Sequence, residues 1–186
     1  MKRYVLSHLP LALGYGVLVA VIGGKWWPFE WRELLQWSGW IVGVCVGVLI
    51  LFMDRIAYVY AYPQEQLSQQ FLWFVKNKNW GRALSILDTR RAEQEKLTFR
   101  SAIFMGVWVL LALFAITSTS GLFGKGVVMG LMLHILSDAW RMQRMNPDGL
   151  NRRLFWQIKR EFTVEERVVF LFILSAFFGW FSFWVS

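Results

Sequence analysis

Apolar residues dominate five stretches of this chain, at about 4–24, 34–53, 101–118, 124–140 and 164–185, most of them separated by segments rich in charged and amide side chains. Each stretch is about the 17 to 25 residues that a helix needs to cross about 30 Å of hydrocarbon. Backbone groups in lipid must bond within their own segment, so helix is the expected state of all five. The predicted fold class is therefore all-α: a polytopic membrane protein with five transmembrane helices in one membrane domain, 1–186. In the longest polar segment, 61–100, Leu67, Phe71, Phe74 and Val75, then Trp80, Leu84 and Leu87, recur at helical spacing among Gln, Lys and Arg. That pattern predicts an amphipathic cytoplasmic helical loop of one or two helices. Pro28 opens a further stretch, 28–36, expected to form a short interfacial helix. Asn146 to Gly149 reads as a turn, and Thr163 with Glu166 reads as a capping box that starts the last helix.

Composition strengthens the membrane reading. The chain is 56% hydrophobic and 18% aromatic over 186 residues, too apolar for an ordinary soluble domain. Its formal net charge of +8 does not form one basic tract, so no specific nucleic-acid partner is predicted. The charges instead sort by side. The N-terminus, the segment 54–100 and the segment 141–167 hold 2 + 8 + 7 = 17 of the 20 Lys and Arg, leaving Lys25, Arg32 and Lys125 for the opposite face. The positive-inside rule then places the N-terminus inside and the C-terminus outside a bacterial inner membrane. Trp26, Trp27, Trp31, Trp37, Trp180 and Trp184 fall at the outer boundary of this scheme, where an amphipathic indole prefers to sit. The stretch 4–24 follows Lys2 and Arg3 as a signal peptide would. It is long enough to span and lacks a small-x-small cleavage site, so a retained helix is expected. Cys45 is the single cysteine, which excludes an intramolecular disulfide or a cysteine-based zinc site.

Small residues four apart mark helix contacts in lipid. The first run carries Ala12, Gly16, Ala20 and Gly24, the second Gly39, Gly43 and Gly47, and the fourth Gly126 and Gly130. These rows offer a surface for internal packing or for a homodimer, and both remain open. Followed toward the cytoplasmic side, they reach His8, Asp54, and the pair His134 and Asp138. The last two share a helical face at i, i+4. Ionisable groups in a span are expensive and usually face the bundle interior. Two imidazoles and two carboxylates would suit zinc or a similar dication, whose bound water could attack an ester. The plainer alternative makes His134 and Asp138 a hydrogen-bonded pair and leaves His8 and Asp54 at wet helix ends.

At these residues the chain resembles the membrane-bound metal-dependent hydrolases, the family that includes the LexA-binding inner-membrane protein. His8 with the following Leu9 to Gly14 looks like the family's first element, Phe52 to Arg55 like its second, Phe99 to Ser101 like its third, and Leu133 to Asp138 like its fourth. The order and spacing hold from His8 to about Asp138. The resemblance implies a hydrolase fold with His8, Asp54, His134 and Asp138 as catalytic groups or ligands to zinc or manganese. It departs at Phe52, where the family has a carboxylate, and at Arg55 and Arg100, where it has histidines. Guanidinium groups stay protonated and cannot ligate a cation. Arg55 and Arg100 are therefore expected to fill the metal's place and to pair with Asp54 and Asp138, leaving a degenerate, metal-free polar site.

Two other functions compete with a descended or active hydrolase. One is a non-catalytic scaffold whose inner face binds anionic lipid headgroups or a cytosolic partner through Lys76, Lys78, Arg82, Arg90 and Arg91. The same residues also read as plain topology determinants. A transporter fits less well, because no inverted repeat or pair of broken helices is visible.

Overall fold

The apolar runs fold as helices in a computed structural model that describes residues 2–24, 31–118, 121–158, 160 and 162–185, with the side chains of residues 2–8 and 92 outside that description. Among the described residues the order is α1 (Lys2–Gly23), α2 (Trp31–Ala61), α3 (Gln66–Lys76), α4 (Trp80–Thr89), two 3-10 turns (Arg91–Glu93 and Thr98–Arg100), α5 (Ala102–Thr117), α6 (Leu122–Met145), α7 (Pro147–Phe155) and α8 (Val164–Val185), with no strand. Three of these, α2, α6 and α8, are long and apolar enough to cross a membrane. The other two expected spans are apolar but shorter, at Leu9–Gly23 and Ala102–Thr117. Residues 31–36 are the first turns of α2, so they form no separate interfacial helix; the rest of that expected element, with Lys25, Trp26 and Trp27, lies outside the described residues.

The centre is the pair α2 and α6, which touch backbone to backbone. A Cβ built on Gly43 or Gly47 would overlap the carbonyl oxygen of Phe123 or Val127, and one built on Gly126 or Gly130 would overlap that of Trp40 or Val44. Glycine four apart on both helices is what permits that approach, because each Cβ it lacks would occupy the partner's backbone. The register advances together, with Gly126 at Trp40 and Gly130 at Val44, so the two helices run parallel. Their C-terminal ends, which carry Asp54 and Asp138, therefore lie at one end of the bundle. Gly39 lies farther from its neighbour, and Gly16 packs at ordinary distance on Ile41.

Around this pair, α1 packs on α2 while α5 and α8 pack on α6. Two buried indoles tie the layers by donating to helix carbonyls: Trp40 Nε1 to Gly16 O at 3.0 Å and Trp108 Nε1 to Val128 O at 2.9 Å. Trp140 Nε1 reaches Ser175 Oγ of α8 at 3.0 Å. The outward faces of α1, α5 and α8 stay apolar, with Leu18, Ile22, Leu110, Phe114, Phe172 and Phe183 exposed.

At the end that carries Asp54 and Asp138 a small helical cap is built. Its core joins Tyr58 and Val59 of α2 to Leu67 and Phe71 of α3, Ala83 and Leu87 of α4, and Leu97. The amphipathic segment thus folds as two helices whose apolar faces pack on one another and on α2. Between them Asn77 ends α3, and Lys78 takes a left-handed φ of 55° while its amide bonds Val75 O and that of Asn79 bonds Phe74 O, the Schellman pattern. The Asn146 signal is more than a turn: Asn146 Oδ1 accepts from Gly149 N at 2.9 Å and Pro147 opens α7, a combination of cap and N1 proline that starts helices. At α8 the capping box is reciprocal, with Thr163 N donating to Glu166 Oε2 at 3.0 Å and Glu166 N to Thr163 Oγ1 at 3.2 Å.

Candidate functional site

Asp138 follows Gly130 by two helical turns, so the glycine contact that seats α6 on α2 also turns its carboxylate inward, 4% exposed. One Nη of Arg91 bridges both carboxylate oxygens at 2.5 and 2.7 Å, and Arg100 Nη1 donates to Oδ2 at 2.9 Å. Arg91 comes from the 3-10 turn after α4, and Arg100 from the one before α5. A single acid of the bundle thus holds two separate parts of the cap.

Asp54 is also buried, but its role differs. Its Oδ2 accepts from Phe99 N at 3.2 Å, and the Thr98 amide is close as well. These are the first amides of the turn Thr98–Arg100, an electropositive end that favours a carboxylate. Asp54 therefore fixes the turn that presents Arg100. Next to it Arg55 is wholly buried and reaches Asp88 of α4 at 3.4 Å. The pairing expected for Arg55 is thus corrected in part: its ion-pair contact at 3.4 Å is to Asp88, while Asp54 accepts from backbone amides and feels the charges of Arg100 and Arg55 nearby. Ser101 caps α5 by accepting from Phe104 N at 3.2 Å.

His134 is buried one turn before Asp138 on the same face of α6. The His8 side chain lies outside the described residues, so the fourth member of the expected set is not placed. Among the described residues, no three of His, Cys, Asp and Glu gather as a metal would require. The chemistry of the donors agrees. Both oxygens of Asp138 face guanidinium, Asp54 accepts from backbone amide with the charges of Arg100 and Arg55 nearby, and a dication there would meet several fixed positive charges. The described residues do not fit zinc or manganese. Guanidinium groups also make poor proton donors and acceptors near neutral pH, so the cluster is suited to holding charge.

Three further arginines stand by Asp138 without having been singled out in the sequence. Arg153 of α7 is 5% exposed; Arg141 of α6 and Arg152 of α7 are more open. Burial and the adjacent Arg100 pull the Arg153 guanidinium down to about 10. A signal for it existed: Leu150, Arg153 and Leu154 fall at i, i+3, i+4, so an arginine occupies the apolar stripe of α7. Two of the five loop cations expected to face headgroups are also engaged inward. Arg91 holds Asp138, and Arg90 bonds Glu93 and Gln70 at 2.6 and 2.8 Å.

Compared with known proteins, the chain matches no family model, no curated protein and no solved structure.

Proposed function

We propose that this chain is a non-catalytic integral membrane protein of the bacterial inner membrane, whose hydrolase-like polar site is degenerate, metal-free and used as an ionic lock between bundle and cap. The observation that carries this reading is the occupancy of Asp138: two arginines from two segments of the cap take both carboxylate oxygens. An acid so engaged has its charge balanced by guanidinium, and a metal would have to displace those donors. Five crossings, with the N-terminus inside, agree with the parallel run of α2 and α6, because second and fourth spans must point the same way. They agree equally with the exposed apolar faces of α1, α5 and α8. The cap then lies in the cytoplasm, where its outer cations can meet anionic lipid or a cytosolic partner.

Elemental analysis of the purified full-length protein tests this reading. The expected content of zinc and manganese is far below one equivalent, unchanged in His134→Ala. One tightly held equivalent that disappears in that variant would refute the lock and restore the hydrolase.

A further inference from the structure

Beside Asp138, a cleft of about 430 Å³ opens between the end of α6, the start of α7 and the Arg91 turn. Arg91, Arg141, Arg152 and Arg153 line it, against only Asp138 and Glu95. Both acids are already engaged, Asp138 by Arg91 and Arg100, and Glu95 by Arg152 Nε at 2.8 Å. The wall therefore keeps a positive excess, and among the described residues neither Arg141 nor Arg153 makes an ion-pair contact, although Arg153 lies within the field of Asp138.

Arg153 is the decisive group. At 5% exposure its guanidinium has two acceptors among the described residues, one weak and one distant: Nη1 meets the Met142 thioether at 2.9 Å and Nη2 meets Arg91 O at 3.4 Å. Its Nε is buried with no acceptor among the described residues. Burying a charge without hydrogen-bonded compensation is costly, and the planar donor fork of arginine matches the oxygens of a phosphate. We infer that this cleft is a binding site for a phosphate group, with Arg153 as its buried donor and Arg141 and Arg152 as its outer clamp.

The phosphate can belong to a lipid headgroup at the inner surface or to a small soluble phosphate compound. The lipid source rests on the membrane reading given above; the site itself does not. Full-length protein in a neutral detergent provides the assay, by thermal shift and by titration. The probes are inorganic phosphate, short-chain phosphatidic acid and, as a control of equal chain length, short-chain phosphatidylcholine. Binding of both phosphate probes is expected if the bare group is recognised, and of phosphatidic acid alone if the lipid supplies it; either supports the site. Arg153→Lys keeps the charge but removes the fork and Nε, and should weaken binding about tenfold or more, the usual cost of a charge-assisted hydrogen bond. Should that variant fail to fold, the exposed pair Arg141→Gln and Arg152→Gln gives the same reading with a severalfold loss, while Lys125→Gln at the opposite end of α6 leaves affinity unchanged. Absence of binding, equal binding of phosphatidylcholine, or affinity indifferent to both Arg141→Gln and Arg152→Gln would overturn the inference. The metal content of the protein is independent of all three results, so failure here is distinct from failure of the ionic lock.

Discussion

At the residue scale, one carboxylate decides how the cap is attached. Asp138 neutralises Arg100, whose side chain is 4% exposed, and anchors Arg91 at the mouth of the cleft. Asp138→Asn keeps size and shape but removes the negative charge, leaving Arg100 buried beside Arg153. Removing one partner of a buried ion pair typically costs about 3–5 kcal/mol, so a large fall in the thermal midpoint of the detergent-solubilised protein is expected. A shift of a degree or less would show that water already screens the pair. Spacing made Asp54, His134 and Asp138 visible, because each lies on the continuation of a glycine row, whereas Arg100 stood out only through the family resemblance. The inward turn of Arg91 was hidden for a physical reason: in a chain with so many cations between its apolar runs, an arginine that turns inward is spelled the same way as one that marks the cytoplasmic side, and Arg153 differed only by its place in the apolar stripe of α7.

At the scale of elements, the glycine rows of α2 and α6 were legible as helix-packing surfaces, but whether they met each other or a second copy was left open by the pattern. The parallel sense and backbone closeness of the α2–α6 contact were not legible, because both depend on which row meets which. Gly130→Ala places a methyl where the Val44 carbonyl stands, and only separation of the two helices can relieve it. Overpacking of this kind costs about 1–3 kcal/mol or more, and here it also shifts Asp138 relative to the cap. Gly106 of α5 has open space beyond its Cα, so Gly106→Ala is the matching control. Thermal unfolding of the two variants should separate clearly, with Gly106→Ala near or above the parent because alanine is the better helix former. If both behave alike, the close approach of α2 and α6 carries no special weight. The start of α7 was misread as a simple turn because Asn and Pro serve turns and helix caps through the same geometry, and only Leu150, Arg153 and Leu154 downstream separate the two.

For the whole molecule, the length of α2 sets the plan. Its 31 residues extend about 46 Å, against about 30 Å of hydrocarbon, so under the proposed membrane placement the surplus at its C-terminal end leaves the bilayer as the stem on which α3 and α4 fold. Tyr58 and Val59 on that surplus are core residues of the cap, which is why the amphipathic segment spends its apolar faces on protein instead of lipid. Periodicity revealed the two amphipathic faces but not what covers them, because a helix bound for a membrane surface and one bound for a neighbouring helix share one pattern. The short α5, about 24 Å for 16 residues, is the test of five crossings, since it must reach from the cap to the far face. In a Cys45→Ala background, a cysteine replacing Ser118 at its C-terminal end should react with a membrane-impermeant maleimide added to intact cells, and one replacing Lys78 should react only after lysis. Labelling of both positions in intact cells, or of neither, would leave α5 on one side of the membrane and dismantle the alternation that makes α2 and α6 parallel spans.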